Sequence, residues 1–271
     1  MITAFHPKIT ATRETRPAIR RLAICLLAAF CLSGLHGLLG PLPGLFQPLI
    51  GAPAYQRFSR VCRLFEESLA DEKKKAINWE RIIRDFPKTE YALYIQAEGV
   101  DSYRKQIRLY DRALRINPKF FEAYIERARA KAELENLTGA LTDVNQALQL
   151  RPGDFGAFID RGDYRQRAGK FTIALADFSR ALKIARSKND RGLALLFRGE
   201  TQLEMGNAPA AILTANRALS LLANNPQLLY LRGRANLKAG NKTEGCRDLA
   251  KAIQLGEHLA EMQQLKYCAS R

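Results

Sequence analysis

Apolar side chains along residues 55–271 recur with the spacing of helices rather than strands. Ala, Leu, Arg, Gln and Glu dominate this part of the chain, and no segment alternates apolar and polar residues as a strand would. Apolar positions that return every three or four residues place their side chains on one face of a helix. The pattern therefore predicts an all-α fold for residues 55–271.

The helical pattern is itself repeated. Residues 122–152, 156–186, 193–223 and 227–257 align with one another at offsets of 34, 37 and 34 residues. Each copy predicts two helices, A and B. A single helical hairpin cannot bury its own apolar face, so successive hairpins are expected to stack.

The same residue types return at fixed places in each copy. An arginine followed by a small residue lies on helix A, at Arg127-Ala128, Arg161-Gly162, Arg198-Gly199 and Arg232-Gly233. A small residue on helix B follows at Ala140, Ala174, Ala211 and Gly245. Facing small residues allow the two helix backbones to approach closely. The turn between A and B is expected at Gly169, Gly206 and Gly240, and at Asn136 in the first copy, because glycine and asparagine adopt the left-handed conformation that ends a helix.

With this period and these residues, the sequence resembles the tetratricopeptide repeat family. The resemblance gives strong repeats at 121–154, 155–191, 192–225 and 226–259, degenerate units at 56–89 and 90–120, and a capping helix at 258–268. It implies a right-handed helical solenoid of about five helix-turn-helix units within residues 55–271, with no catalytic activity. It also implies a concave groove, lined by the A helices, that binds a protein or peptide partner.

The resemblance places particular side chains in that groove. The partner-binding candidates are Arg129, Asp163, Arg167, Glu200, Tyr230 and Arg234, with Ile125 and Ile159 as apolar groove positions. The alternative for each of them is an ordinary solvated helix surface.

The N-terminal residues form a separate segment. Residues 22–35 read LAICLLAAFCLSGL without a charge, and four arginines precede them. This order predicts a basic tail at 1–21, a signal anchor or signal peptide helix at 22–40 and a Pro/Gly-rich linker at 41–54. The positive flank favours single-pass membrane association with the repeats on the exported side, in an envelope or organelle lumen. Cleavage would instead leave a secreted or periplasmic protein.

The chain is basic, with a formal net charge of +16. Arg104, Arg108 and Arg115 form a stripe on one predicted helix, with Lys105 and Arg112 beside them. We therefore keep a second function class open, a basic accessory protein that binds anionic lipid or nucleic acid. No nucleic-acid-binding motif is present, which disfavours nucleic acid.

No enzyme motif is found in the sequence. The three histidines, His6, His36 and His258, lack ligand partners at metal-binding spacing, and there is no phosphate loop or nucleophile elbow. We expect no catalysis, no metal and no cofactor. The favoured function is a non-enzymatic, membrane-tethered protein–protein interaction scaffold or assembly factor.

Two cysteines near the C-terminus suggest a disulfide. Cys246 lies near the start of the last helix B and Cys268 near the end of the capping helix, roughly equidistant from the turn near Gly256. In an antiparallel hairpin the two sulfurs would lie at the same level, so we expect a Cys246–Cys268 disulfide in an oxidising compartment. The alternative is two buried thiols.

The tripeptide Arg161-Gly162-Asp163 matches a cell-adhesion motif in sequence. The equivalent places in the neighbouring copies read Arg127-Ala128-Arg129, Arg198-Gly199-Glu200 and Arg232-Gly233-Arg234. The arginine and the small residue thus belong to the repeat, and the position is predicted to lie within a helix. An adhesion ligand is disfavoured.

Overall fold

The structure is a computed structural model that describes residues 60–67 and 72–268. This part of the chain forms thirteen helices and contains no strand. The helices are α1 (60–67), α2 (Glu72–Asp85), α3 (Glu90–Glu98), α4 (Tyr103–Ile116), α5 (Phe121–Glu133), α6 (Leu137–Leu150), α7 (Phe155–Arg167), α8 (Phe171–Ile184), α9 (Lys188–Glu204), α10 (Ala208–Leu221), α11 (Pro226–Lys238), α12 (Lys242–Gln254) and α13 (Leu259–Cys268). The all-helical prediction is confirmed.

The predicted N-terminal segments lie outside the described residues. These are the basic tail at 1–21, the apolar helix at 22–40 and the linker at 41–54. Among the thirteen described helices, none has the length and apolar character that a membrane crossing requires.

Polar caps fix the starts of several helices. Ser187 and Asp190 form a capping box at the start of α9, in which each side chain accepts a hydrogen bond from the other residue's backbone N–H. At α11 the side chain of Asn225 accepts from the backbone of Leu228, and Pro226 occupies the first helical position. These contacts satisfy backbone N–H groups that have no partner inside the helix.

The turns between A and B helices have the expected left-handed residue, with one correction. Gly169, Gly206 and Gly240 have φ angles of +70°, +79° and +85°. In the first copy the left-handed residue is Glu135, with φ of 57°, so the prediction for Asn136 was wrong. Asn136 instead caps α6, where its side chain accepts a hydrogen bond from Gly139 N at 3.0 Å. Asn136 serves as the N-cap of α6, and Glu135 adopts the strained left-handed conformation in its place.

The chain divides into two compact units, residues 1–123 and 124–271. The described part of the N-terminal unit comprises α1 to α4 and the start of α5. Its core contains an aromatic cluster in which Phe65, Tyr91, Tyr94 and Phe120 have ring centroids 4.7–5.6 Å apart. The buried carboxylate of Glu90 accepts a hydrogen bond from Asn117 at 3.3 Å, which links the start of α3 to the end of α4.

The C-terminal unit continues α5 and contains α6 to α13. Small residues bring the helices of each pair together in two ways. A Cβ on Gly233 would lie 3.1 Å from the carbonyl oxygen of Gly245, so α11 and α12 meet backbone to backbone. A Cβ on Gly162 would overlap the ring of Phe178, so in that pair the glycine makes room for a large side chain. The A helices α7, α9 and α11 pack in succession, which places their equivalent positions side by side.

The capping helix α13 packs against α12 and α11 through Ala260, which is fully buried. A disulfide joins Cys246 in α12 to Cys268 at the end of α13, with the two Cα atoms 5.6 Å apart. The compartment that would keep it oxidised remains a prediction.

Candidate functional site

Buried ion pairs fix the orientation of the A helices in the C-terminal unit. The repeated arginine of helix A contacts an aspartate 16 positions later on helix B, in the pairs Arg127–Asp143, Arg161–Asp177 and Arg232–Asp248. Each aspartate accepts two hydrogen bonds from one guanidinium group, and each is nearly buried. Two-point contact of this kind fixes both distance and angle. These pairs therefore set which side of each A helix remains outside the hairpin.

The third copy keeps the repeated arginine, as Arg198, but has no aspartate to pair with it. Thr214 stands where the other copies have aspartate, and its hydroxyl donates a hydrogen bond to Gln202 Oε1 at 2.7 Å. The sequence comparison had singled out the arginines but missed their aspartate partners. The signal was present, because three of the four copies have an aspartate at the same offset of 16 positions.

We define the A-helix face by the six partner-binding candidates, Arg129, Asp163, Arg167, Glu200, Tyr230 and Arg234. Each helical residue is turned by about 100° from the one before it, so Asp163 lies about 200° round α7 from Arg161. Because Arg161 is directed at α8, Asp163 is directed away from it. Glu200 and Arg234 occupy the same place on α9 and α11, two residues after the repeated arginine.

Two of the six side chains link neighbouring A helices. Arg129 on α5 contacts Asp160 on α7 at 3.1 Å, and it also contacts Glu126 at 2.7 Å. Arg167 donates to the carbonyl oxygen of Ala132 at 2.6 Å. These arginines have partners within the protein, so they help to hold α5 against α7.

The negative charges of Asp163 and Glu200 are less well compensated by nearby cations. The Arg167 guanidinium lies 3.9 Å from Asp163, beyond hydrogen-bonding distance, and Arg167 also binds Glu135 at 2.9 Å. Burial raises the pKa of Asp163, and the nearby carboxylates of Asp160, Glu133 and Glu204 raise it further, against the opposing effect of Arg167.

The pKa of Glu200 is raised for the same reasons. Burial contributes most, and Glu204 and Asp163 add to it, while Arg234 acts in the opposite direction. Asp163 and Glu200 therefore belong to one group of mutually repelling carboxylates that spans α7 and α9.

Tyr230 and Arg234 form the remaining part of the A-helix face on α11. The guanidinium of Arg234 lies over the Tyr230 ring, 5.3 Å from its centroid, and both side chains are half-buried. A cation stacked on an aromatic ring keeps its hydrogen-bond donors available at the ring edge.

The apolar positions assigned to the groove are part of the core instead. Ile125 and Ile159 are only 7% and 6% exposed. Their side chains therefore contribute packing rather than a contact surface. Across residues 60–67 and 72–268 there is also no cluster of three or more side chains suited to hold a metal ion.

Comparisons with known proteins agree with this architecture. The family model for the tetratricopeptide repeat matches residues 103–155 and 159–227. No curated protein matches the sequence.

Several solved structures share the fold at low sequence identity. MamA (residue 41 to its end) from Desulfovibrio magneticus RS-1 is 17% identical, with a TM-score of 0.54, over 65% of this chain and 94% of that one. YrrB, described as a TPR protein with an unusual peptide-binding site, is 18% identical with a TM-score of 0.52, over 69% and 97%. PilW, described as a widely conserved type IV pilus biogenesis factor, is 19% identical with a TM-score of 0.54, over 67% and 95%.

Proposed function

We propose that this chain, which matches the tetratricopeptide repeat family model over residues 103–155 and 159–227, is a non-enzymatic protein–protein interaction scaffold or assembly factor. Its partner would bind across the A-helix face of the C-terminal unit. One observation carries the proposal. Three of the four repeated arginines, which are directed towards the B helices, form internal ion pairs, whereas Asp163, Glu200 and Arg234 make no hydrogen bond within the described residues. Half-buried charges without close partners on a rigid surface are suited to recognise a partner.

The similar folds support the same kind of role. YrrB is described as having an unusual peptide-binding site and PilW as a type IV pilus biogenesis factor. A stack of helical hairpins presents equivalent positions at regular intervals, which suits binding to an extended segment of another protein.

We further propose that residues 22–40 tether the protein to a membrane, with the repeats on the exported side. The uncharged run at 22–35 and the four arginines before it support this. Carbonate extraction of native membranes, followed by protease treatment of intact cells, tests both points. Release by carbonate would contradict the tether, and a repeat domain protected on the cytoplasmic side would contradict the orientation.

The scaffold role is tested by cross-linking the full-length protein in its own membrane and identifying the captured proteins by mass spectrometry. Wild-type protein should yield a partner that an Asp163→Asn/Arg234→Gln variant captures less well. A matched Glu244→Gln change, at an exposed residue on α12, should leave capture unchanged. Equal capture by all three proteins would contradict binding at the A-helix face.

A second candidate function rests on a different surface. Arg104, Arg108, Arg112 and Arg115 are exposed along one side of α4 in the N-terminal unit. A row of exposed cations can bind anionic lipid headgroups, and such binding weakens as salt is added. Sedimentation with phosphatidylserine vesicles tests this, with Arg108→Gln/Arg112→Gln as the variant and Arg180→Gln as an exposed control. Sedimentation of the variant equal to wild type would contradict it.

A further inference from the structure

The B helices α8, α10 and α12 carry cations at equivalent positions. Arg180, Arg217 and Lys251 lie at the same place in successive copies, and all three are exposed. None of them forms an ion pair within residues 60–67 and 72–268. The aspartates of α8 and α12, Asp177 and Asp248, are bound instead by arginines of the A helices. The B-helix side of the C-terminal unit therefore has positive charge that the described carboxylates do not pair with.

A cavity of about 460 Å³ lies among α10, α11 and α12. Leu219 and Leu229, which are nearly buried, and Ala223 form its apolar wall. Arg247 and Lys251, one helical turn apart on α12, contribute two exposed cations to the same cavity. Neither cation pairs with a carboxylate among the described residues. The cavity thus combines an apolar wall with unpaired positive charge.

A second cavity, of about 320 Å³, adjoins the first, and the two share the lining residues Asn216, Arg232, Arg247 and Asp248. We call the two cavities together the α10–α12 groove. Arg232 donates two hydrogen bonds to Asp248 at 2.7 Å and one to Asn216 at 2.8 Å, so the charges of this ion pair compensate each other. The remaining charged groups that line the groove are Glu244, Arg247 and Lys251. The groove therefore has a net positive charge.

An acidic peptide segment matches both features of this groove. Ligand pockets commonly have volumes of about 300–1,000 Å³, a mostly apolar lining and a few polar groups that fix orientation. The larger cavity fits this description, and its apolar wall can take an apolar side chain against Leu219 and Leu229. A carboxylate beside that side chain can then bind Arg247, because a guanidinium group and a carboxylate form two parallel hydrogen bonds. Two adjoining cavities also suit an extended segment better than a single small anion.

We propose that the α10–α12 groove binds an acidic segment of a partner protein. An apolar side chain of the segment fills the larger cavity, and a neighbouring aspartate or glutamate pairs with Arg247 and Lys251. This site is distinct from the A-helix face, because Arg232 lines the groove whereas Arg234 lies about 200° further round α11. The groove is thus a second docking surface of the C-terminal unit, and it does not depend on binding at the A-helix face.

The test uses the full chain in detergent and an array of immobilised eight-residue peptides that differ in net charge and in the presence of a central leucine. Wild-type protein should retain peptides that contain both acidic residues and the leucine. For the peptide bound best, fluorescence polarisation should show affinity about fivefold or more weaker for Arg247→Gln/Lys251→Gln than for wild type. The matched control Arg180→Gln removes a cation at the position equivalent to Lys251 but outside the groove, so it should change the affinity by less than about twofold.

A second variant tests the cavity without changing the charge. Ser220 lines the larger cavity and is exposed, so Ser220→Phe should occupy the space and weaken peptide binding. All variants should unfold at the same urea concentration as wild type, which separates lost binding from misfolding.

Three results would overturn the inference. The first is retention of peptides without enrichment in acidic residues. The second is unchanged affinity of either groove variant, or an equal loss with Arg180→Gln. The third is binding of phosphatidylserine vesicles or a single-stranded oligonucleotide, weakened by Arg247→Gln/Lys251→Gln, when no acidic peptide is retained. Each of these leaves the proposed binding at the A-helix face standing, because that proposal is tested by the Asp163→Asn/Arg234→Gln variant.

Discussion

The substitution Asp177→Asn should strongly destabilise the C-terminal unit. The Asp177 side chain is 4% exposed and binds two arginines, Arg161 at 2.7 Å and Arg165 through its other oxygen. Asparagine keeps the shape and one acceptor oxygen but removes the charge. Two guanidinium groups would then face a neutral amide inside the α7–α8 hairpin.

The magnitude follows from the burial of the three side chains. Removing one partner of a fully buried ion pair costs about 3–5 kcal/mol. Arg161 and Arg165 are 19% and 22% exposed, so each can regain part of its hydration. We therefore expect the free energy of unfolding to fall by about 2–3 kcal/mol. Asp248 has a single arginine partner, and Arg232 is 29% exposed, so Asp248→Asn should cost about 1–2 kcal/mol.

Urea unfolding of the full chain, followed by far-UV circular dichroism, measures these differences. The exposed control Glu244→Gln should change the free energy of unfolding by less than about 0.5 kcal/mol. The double variant Asp177→Thr/Arg165→Gln reproduces the neutral pair of the third copy and should recover about 1 kcal/mol of the loss. If Asp177→Asn behaved like Glu244→Gln, the reasoning that these pairs hold the hairpins would be refuted.

Three further outcomes are expected. Gly162→Ala should lower the free energy of unfolding by about 1–2 kcal/mol in the same urea assay, because its Cβ overlaps the buried ring of Phe178, whereas Gly153→Ala, with open space around it, should not. In oxidised protein, Cys246→Ser should remove about 3 kcal/mol of local stability and speed amide exchange in α13, because a cross-link between residues 22 positions apart is lost. Two free thiols at Cys246 and Cys268, found by non-reducing mass mapping of protein from the native compartment, would contradict the disulfide. Glu200→Gln should raise the free energy of unfolding at pH 7. Because the pKa of Glu200 is raised, its contribution to stability is present below its ordinary pKa of 4.5 and is lost as the pH rises through the raised value. A gain in stability that persisted in acid would contradict the assignment.

The hairpins could be predicted from sequence because the same packing and turn positions recur in successive copies. Gly206 and Gly240 occupy turns that only a left-handed residue can make, and the same turn returns in successive copies. The exception at Glu135 shows the limit of this reasoning. Residue preference alone favours Asn136 at that turn, but an asparagine can also cap the next helix, and only the three-dimensional structure shows that it does.

The candidate site was predicted only in part. The sequence places Asp163, Glu200 and Arg234 at equivalent positions, because each lies two residues after the repeated arginine of its copy. It could not show that Ile125 and Ile159 are buried, because burial depends on the neighbouring hairpin rather than on the helix that carries the residue. Nor could it show that carboxylates from α7 and α9 influence one another.

In the tripeptide Arg161-Gly162-Asp163, the first two residues pack within the hairpin and the third lies on the A-helix face. Arg161 pairs with Asp177 on the B helix, and Gly162 gives room to Phe178, so both residues serve the hairpin. Asp163 is turned away from both contacts, and the guanidinium of Arg167 lies 3.9 Å from its carboxylate, beyond hydrogen-bonding distance. The adhesion motif is therefore two packing positions followed by one surface position. Because the third position varies among the copies while the first two hardly do, changes at Asp163 should alter partner choice at little cost in stability.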